Sequence, residues 1–351
     1  MFSQEDAEQC TSLVSSALKF NNRSLLFVPT LHYISDRNRV TGYCSMLHGS
    51  CINVTSKIIR HYQDLWETCF KYAVQNDVGI TIVPHLDDRD PGGEWRNNVR
   101  FDPEKKYNGF SYTDLVIAPL GQALSNGLNG QKLPVNFYLQ GEMGATVFAF
   151  PSSYSNIARR LKTLYPDWSI GISLNYNNVD GEVGGIHAPQ VKEVLNLVDT
   201  IGISAYAALS YPVTSQAFLN NITGLNAELL ALGVKISPNK IFQFTEVGLG
   251  GGSSKYYGMQ PASTPEEAAR APWAGIFSPY DKAKDPWQIP VLKNLRLQYH
   301  RTLLEFLENQ PRISAAYLWN ATSWDPQGLR QPEYRDSEII YLINTHNFNK
   351  H

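Results

Sequence analysis

The 351-residue chain has almost no net charge and few charged residues. Lys and Arg number 30 against 32 Asp and Glu, so the formal net charge is -2, and only 18% of the residues are charged. This balance gives no electrostatic reason to expect nucleic acid or an anionic membrane surface as a partner. The apolar runs have the length of strands and fall well short of the roughly 20 residues of a membrane span. We therefore expect no nucleic acid and no membrane among the partners.

Sequence signatures of metal, serine and nucleotide chemistry are also missing. The eight His residues show no His-Glu-x-x-His spacing, and no Ser lies in a Gly-x-Ser-x-Gly elbow. The acidic run 87–94 does not match a calcium-binding loop, and we expect a solvated or substrate-facing loop there. The Gly-rich run 248–253 has Ser at its sixth position and no prompt helix, which favours a flexible loop over a dinucleotide site. No metal and no cofactor is predicted.

Cysteine is scarce, with four residues in the chain. Cys44 and Cys51 lie close together in a loop-like segment, where a small disulfide loop and two free thiols are both open. Cys10 and Cys69 fall in helical patterns, with Cys69 on the apolar face of its helix.

Strand-like and helix-like segments alternate along the chain, without a linker or a low-complexity stretch. With 43% hydrophobic residues the chain can bury a full core, and we predict a single domain over residues 1–351. The alternation predicts a parallel α/β fold. The candidate strands are residues 25–29, 80–84, 135–139, 169–174, 200–204, 241–245 and 315–319. The clearest amphipathic helices have apolar faces at Ile58, Tyr62, Leu65 and Cys69, at Ile157, Leu161 and Leu164, and at Leu292, Leu295, Tyr299, Leu303 and Phe306.

Seven strands are one short of a (β/α)8 TIM barrel. Because residues 5–20 read as a helix, the missing strand is the first, and the seven candidates become the second to the eighth. We therefore expect that the natural protein extends upstream of Met1, with a targeting signal there that would make the protein secreted. Residues 1–6 themselves have neither the basic start nor the apolar stretch of a signal peptide.

Two glutamates stand at the ends of predicted strands. Glu142 follows the run Val-Asn-Phe-Tyr-Leu-Gln-Gly, and Glu246 follows Ile-Phe-Gln-Phe-Thr. Both runs have the β-branched and aromatic residues of buried parallel strands and lead into a Gly-bearing loop. In a (β/α) barrel the catalytic residues lie at the C-terminal ends of the strands. The pair therefore predicts glycoside hydrolysis.

The chemistry of a retaining glycosidase explains why two carboxyl groups are needed. One of them, protonated, donates to the leaving oxygen, while the other, ionised, attacks the anomeric carbon from about 5–5.5 Å away. We predict that Glu142 is the acid/base and Glu246 the nucleophile. The alternative is that either Glu only caps the following helix or pairs with an Arg of the barrel.

An acid/base Glu after the fourth strand and a nucleophile after the seventh resemble the arrangement of the clan A glycoside hydrolases. The segment 244–248, Phe-Thr-Glu-Val-Gly, is similar to the nucleophile segment of glycoside hydrolase family 113, which contains β-mannanases. The resemblance implies a Tyr beside the nucleophile at Tyr206, a Trp under the sugar at Trp319 and a sugar-binding His at His85. One position departs from the pattern, because most clan members have Asn before the acid/base Glu to hold the sugar 2-hydroxyl. This chain has Gly141 there.

Aromatic and amide side chains complete the predicted sugar site, since the C-H faces of sugar rings stack on Trp and Tyr. Trp319 and Trp324, in and after the last strand, are the predicted stacking residues. Packing of a loop onto the barrel rim is the alternative for Trp324 and equally for the other candidates, Trp95, Trp273 and Trp287. Asn175, after the fifth strand, is a candidate for binding hydroxyls, although its segment is also ordinary turn chemistry.

The sequence thus predicts a retaining glycoside hydrolase that cleaves a β-linked polysaccharide or oligosaccharide, with β-mannan as the first substrate to try. The competing hypothesis is a catalytically silent barrel that binds glycans or a protein partner. A fold alone does not confer activity, and Gly141 departs from the usual pattern. The oligomeric state is not indicated by the sequence.

Overall fold

The computed structural model describes residues 4–37, 39–47, 49–90, 93–256, 258–319 and 321–348. The chain divides into two compact units. The first consists of Met1–Ser15, Arg23–Gly202 and Asn226–Ile241, and the second of Ser16–Asn22, Ile203–Leu225 and Phe242–His351. The prediction that residues 1–351 form one domain stays a prediction.

Strands and helices alternate through most of the described chain. The strands are β1 Ser24–Phe27, β2 Thr30–Asp36, β3 Arg39–Leu47, β4 Ser50–Asn53, β5 Gly79–Ile82, β6 His85–Asp88, β7 Val135–Gly141, β8 Ser169–Asn175, β9 Thr200–Ser204, β10 Ile241–Val247 and β11 Ile313–Leu318. The α-helices are α1 Gln4–Leu18, α2 Ser56–Gln75, α3 Ala118–Leu128, α4 Gly144–Ala149, α5 Pro151–Leu164, α6 Ala188–Leu197, α7 Ser215–Ala231, α8 Pro265–Arg270, α9 Pro290–Glu308 and α10 Ser337–Phe348. A π-helical stretch, Thr113–Ile117, leads directly into α3.

The main sheet has seven strands in the order β1-β5-β7-β8-β9-β10-β11. The pairs β1–β5, β5–β7, β7–β8 and β10–β11 are parallel, and helices connect successive strands. This is the architecture of a (β/α) barrel, as the sequence predicts. All seven predicted strands are present, with boundaries within two residues of those expected. Every residue of β5 and β9 is buried, as expected for strands that are covered on both faces.

A second, smaller sheet belongs to the first unit and has the order β4-β3-β2-β6. Strands β2, β3 and β4 pair antiparallel, whereas β2 pairs parallel with β6. This sheet is not predicted by the sequence, because the apolar residues of its segments are interrupted by polar ones. The acidic residues Asp87 and Asp88 therefore lie in β6, where the sequence predicts a loop. Cys44 and Cys51 form a disulfide across the hairpin of β3 and β4, the small disulfide loop that the sequence left open.

A second disulfide ties the first two helices together. Cys10 in α1 and Cys69 in α2 have Cα atoms 5.8 Å apart and close a loop with a sequence separation of 59. In the chain-entropy picture a loop of this length stabilises the fold by about 4 kcal/mol. The apolar face predicted for α2 is correct in part, since Tyr62 and Cys69 are buried with the neighbouring Trp66, whereas Ile58 and Leu65 are half-buried. Sequence patterns place both Cys residues in helices but do not predict that they pair.

A buried guanidinium group lies in the interior of the second unit. Arg296 in α9 is 1% exposed, and its Nη1 donates to the carbonyl oxygen of Tyr334 at 2.8 Å. Its charge lies 4.5 Å from the ring centroid of Trp287. Burial lowers the pKa of Arg296 to about 10, so the group remains charged at neutral pH. Three buried carboxylates oppose this effect of burial, those of Asp336, Asp325 and Asp285.

The Gly-rich run 248–253 is packed tightly within the second unit. A Cβ atom on Gly250 would lie 2.2 Å from the carbonyl oxygen of Ala274, so only glycine fits there. The amide of Gly252 donates to the same carbonyl at 3.0 Å, and the residues from Val247 to Ser253 are buried. The prediction of a flexible loop is therefore wrong. These glycines permit the close approach of two backbone segments.

None of the described helices combines the length and the apolar character that a membrane span requires. Over the same described residues, no group of three or more His, Cys, Asp or Glu side chains has the geometry to hold a metal ion.

Candidate active site

Glu142 comes directly after β7, at the C-terminal end of the strand. Its backbone has φ of +55°, in the left-handed region that few residues other than glycine adopt. Its amide donates to the carbonyl oxygen of Ser173 in β8 at 3.1 Å, which fixes the turn. A non-glycine residue in this conformation costs about 1 kcal/mol or more, and such strained positions cluster at functional sites.

Two side chains hold the carboxylate of Glu142, which is 7% exposed. Nη1 of Arg96 donates to Oε2 at 2.8 Å, and Nδ2 of Asn175 donates to Oε1 at 2.9 Å. Asn175 closes β8, so the predicted hydroxyl-binding amide contacts the predicted acid/base directly. A charge-assisted hydrogen bond to each oxygen orients the carboxyl group in a single direction.

Arg96 was not predicted as a site residue. It lies just after the acidic run 87–94 and contacts a residue of that run. The side chain donates from Nε to the carbonyl oxygen of Leu86 at 3.1 Å and from Nη2 to Oδ1 of Asp87 at 2.5 Å. Burial alone would raise the pKa of Asp87, but the charge of Arg96 and its hydrogen bond to the carboxylate outweigh burial and lower the pKa. One guanidinium group therefore bridges the carboxylates of Asp87 and Glu142. For Glu142 the structure thus contains the ion pair with an Arg that the sequence analysis gave as the alternative to catalysis.

The residue after Arg96 fixes the backbone beyond Glu142. Asn97 is fully buried, and its Oδ1 accepts from the amide of Gly144 at 3.0 Å. Its Nδ2 donates to the carbonyl oxygen of Asn178, in the loop after β8, at 2.7 Å. Two consecutive residues of one short 3-10 helix, Arg96–Asn98, thus hold the carboxylate of Glu142 and the chain that follows it.

His85 explains why residue 141 is glycine. A Cβ atom on Gly141 would lie 2.6 Å from Cδ2 of His85 and 2.6 Å from Cγ1 of Val83. The imidazole therefore occupies the space that a side chain at position 141 would need. Burial lowers the pKa of His85 to about 3, with a further contribution from the charge of Arg96, so the ring is neutral near pH 7. The departure from the clan pattern at Gly141 is coupled to the predicted sugar-binding histidine.

Substituting alanine for Gly141 is expected to destabilise the protein by about 1–3 kcal/mol, because the new methyl group overpacks the space beside His85 and Val83. Denaturant unfolding of the purified variant measures this change. Gly79→Ala is the matched control, since a Cβ on this strand glycine would find its nearest neighbour at an ordinary 3.4 Å. Removing the ring by His85→Ala should restore part of the stability of Gly141→Ala. Equal stabilities of the two single glycine variants would contradict the packing argument.

Glu246 lies in the second unit, next to the last residue of β10. Its carboxylate is 6% exposed, and its Oε2 accepts from the hydroxyl of Tyr206 at 3.4 Å. This confirms the predicted hydrogen bond, which is long. The carbonyl oxygen of Glu246 accepts from the amide of Ala205 at 2.7 Å, so the chain after β9 is tied to β10 immediately beside this contact.

The two predicted stacking residues have different surroundings. Trp319 follows β11, is partly exposed, and donates from its amide to the carbonyl oxygen of Val247, the neighbour of Glu246, at 2.9 Å. Trp324 is 2% exposed, and its Nε1 donates to the carbonyl oxygen of Pro272 at 3.1 Å. Its ring also packs on Gly275, so it has no open face for a sugar. The prediction that Trp324 binds substrate is corrected to loop packing.

The other Trp candidates divide in the same way. Trp287 is buried, with its Nε1 donating to the carbonyl oxygen of Ser323 at 2.7 Å, and it packs the interior of the second unit. Trp95 and Trp273 are 40% and 48% exposed and retain an accessible face. In the first unit the structure brings together Glu142, His85 and Asn175, and in the second it brings together Glu246 and Tyr206 with Trp319 nearby. The catalytic and sugar-binding roles of these residues stay predictions.

Comparison with known proteins shows similarity in structure. No family model and no curated protein matches the sequence. A solved structure of a GH113 β-1,4-mannanase is similar with a TM-score of 0.55 and 12% identity, over 99% of this chain and 94% of that one. The GH113 β-mannanase AaManA from Alicyclobacillus acidocaldarius is similar with a TM-score of 0.52 and 15% identity, over 96% of this chain and 92% of that one. At these identities the chain shares the fold of the family 113 mannanases, as the sequence resemblance implies.

Proposed function

We propose that the protein is a retaining glycoside hydrolase that cleaves a β-linked polysaccharide or oligosaccharide. The observation that carries the proposal is the placement of Glu142 and Glu246 at the C-terminal ends of two parallel strands of a (β/α) sheet. Each carboxylate has polar partners that orient it. In barrels of this kind the catalytic groups lie at these strand ends. The protein needs no cofactor for this chemistry.

In this proposal Glu142 is the acid/base. It passes a proton to the glycosidic oxygen as the bond from that oxygen to the anomeric carbon breaks, and it later removes a proton from the attacking water. Its contacts with Asn175 and Arg96 fix the direction in which the carboxyl group faces. Proton transfer requires such fixed geometry, because the donor must lie within hydrogen-bond reach of the leaving oxygen.

Glu246 is the nucleophile. Its carboxylate attacks the anomeric carbon to form a glycosyl ester, and water then displaces it with a second inversion, so the product retains the configuration of the substrate. The hydroxyl of Tyr206 supports this role, because a donor to a carboxylate favours its ionised form. Double displacement requires the two carboxyl groups to be about 5–5.5 Å apart.

β-Mannan is the first substrate to test, since the similar solved structures carry the name mannanase. Purified protein would be incubated with mannan, glucomannan, xylan, cellulose and β-galactan, and products would be separated by chromatography. Proton NMR of the first product released should show the β-anomer before mutarotation. An α-anomer would contradict double displacement. Absence of hydrolysis with intact oligosaccharide binding would support the competing hypothesis of a silent, glycan-binding barrel.

Removing the ring of Trp319 by Trp319→Ala should raise KM about tenfold, which corresponds to about 1.4 kcal/mol of lost stacking with the sugar. Steady-state kinetics on the best substrate measures the change, and circular dichroism checks that the variant is folded. Tyr341→Ala is the control, because this aromatic side chain on α10 is 69% exposed and is not a candidate for the site. Equal KM values for the two variants would remove the stacking role of Trp319.

A further inference from the structure

The guanidinium group of Arg96 donates hydrogen bonds to three groups of the first unit. Nε donates to the carbonyl oxygen of Leu86, Nη2 to Asp87 and Nη1 to Glu142, at 3.1, 2.5 and 2.8 Å. The guanidinium group is planar and rigid, so fixing it at Leu86 and Asp87 determines where its third edge points. The N–H group on Nη1 at this third edge donates to Oε2 of Glu142.

The loop that carries Arg96 is itself firmly held. The hydroxyl of Tyr33 donates to the carbonyl oxygen of Glu94, and Ser35 donates from Oγ to Oδ2 of Asp88 at 2.7 Å. Both donors lie in β2, so the acidic run is attached to the small sheet. The strands of this sheet are not predicted by the sequence. The sheet forms a support that reaches the carboxylate of Glu142 through Arg96.

The guanidinium group of Arg96 is shared between two carboxylates, those of Asp87 and Glu142. A lone guanidinium beside Glu142 would favour the ionised carboxylate, whereas an acid catalyst must be able to hold a proton. Asp87 shares the same guanidinium and offsets part of its charge, and the neighbouring His85 is neutral near pH 7. Arg96 donates to Oε2 from a charged group, whereas Asn175 donates to Oε1 from a neutral amide, so a proton on the carboxyl group is less unfavourable on Oε1 than on Oε2.

We propose that Arg96 is a positioning residue for the acid/base Glu142, fixing Oε2 and directing Oε1 towards the leaving group, with Asp87 as its anchor. This inference rests on the proposed function. It predicts that loss of Arg96 impairs proton donation in particular. If Arg96 served only to hold its loop in place, loss would impair every substrate to the same extent.

Leaving-group dependence separates these two roles. The test compares kcat/KM of Arg96→Gln for an aryl glycoside with an acidic phenol, whose departure needs no proton, and for an alkyl glycoside or oligosaccharide, whose departure does. We expect a fall of about 100-fold for the second class and less than about threefold for the first, in keeping with the usual contribution of general acid catalysis. Equal falls for both classes would overturn the proposal.

Three further variants sharpen the result. Arg96→Lys keeps the charge but not the planar fork and should lie between wild type and Arg96→Gln, which also provides a folded variant if the Gln form is unstable. Asp87→Asn releases the anchor and should show the same preference for activated substrates. Arg89→Gln, an exposed arginine of the same acidic run, is the control and should leave both substrate classes unchanged.

A structural measurement distinguishes failure of this proposal from failure of the proposed function. In a crystal structure of Arg96→Gln the carboxyl group of Glu142 should rotate away from its wild-type orientation. An unchanged carboxyl group would overturn the positioning role even if the protein is an active glycosidase. A rotated group in a protein that hydrolyses no glycoside would support the positioning of Glu142 by Arg96 while refuting the proposed function.

Discussion

Replacing Glu246 by glycine is expected to reduce kcat by about 10³-fold or more, because no other group can form the glycosyl intermediate. Sodium azide should restore turnover of an activated aryl β-glycoside, since the small anion fits the space left by the carboxylate and attacks the anomeric carbon. The product should be a glycosyl azide of inverted configuration, identified by NMR. Loss of the Glu246 side chain costs only about 0.5–1 kcal/mol of strand stability, so the variant should remain folded.

The matched variant Glu142→Gly tests the other half of the mechanism. It should remain active on activated aryl glycosides, and azide should yield a product of retained configuration, because Glu246 still forms the intermediate. Residue 142 has φ of +55°, a conformation that glycine adopts without strain, which offsets part of the cost of leaving Arg96 and Asn175 without this acceptor, so the variant should remain folded. The same azide anomer from both variants would contradict the assigned roles, and full activity in both would move the catalytic site elsewhere.

A loss of about 3–5 kcal/mol in the free energy of unfolding is expected for Arg296→Met. The substitution removes a buried charge that three buried carboxylates face, and it leaves the carbonyl oxygen of Tyr334 without this donor. Methionine has a similar length, so the loss should come from charge and hydrogen bonding more than from volume. Urea unfolding followed by tryptophan fluorescence measures the change.

Arg301→Met supplies the control for this measurement. Arg301 lies on the same helix, α9, but its side chain is 52% exposed, and its ion pair with Glu338 is 3.6 Å long. An exposed pair contributes at most about 1 kcal/mol. If the two arginine variants had the same stability, the buried guanidinium would not be a principal support of the second unit.

The barrel strands could be predicted from the sequence because strands that are buried on both faces are rich in apolar and β-branched residues. Runs such as residues 80–84, Ile-Thr-Ile-Val-Pro, consist mostly of apolar and β-branched residues, so their positions are found within two residues. The small sheet escapes prediction for the opposite reason. Its strands β2 and β6 include residues such as His32 and Asp87, and their pairing with each other depends on contacts distant in sequence. The pairing of Cys10 with Cys69 is non-local in the same way.

The candidate site shows the same division. Glu142, Glu246 and Tyr206 are predictable because a strand end in a barrel is a specific place. Arg96 is not, since it reaches Glu142 from a loop 46 residues earlier, and nothing local in the sequence distinguishes it from a surface arginine. Trp324 fails for a related reason, because composition identifies an aromatic residue but not which face of its ring is already covered.

The fit of His85 against Gly141 has a consequence for how this chain can change over evolutionary time. Asparagine at position 141 and the imidazole of His85 in its present place would occupy the same space. A path of single substitutions that introduces a side chain at position 141 therefore has to replace the ring at position 85 first or accept the cost of overpacking. Two positions that are 56 residues apart are thus sterically coupled, and a substitution at either one changes which residues the other can hold.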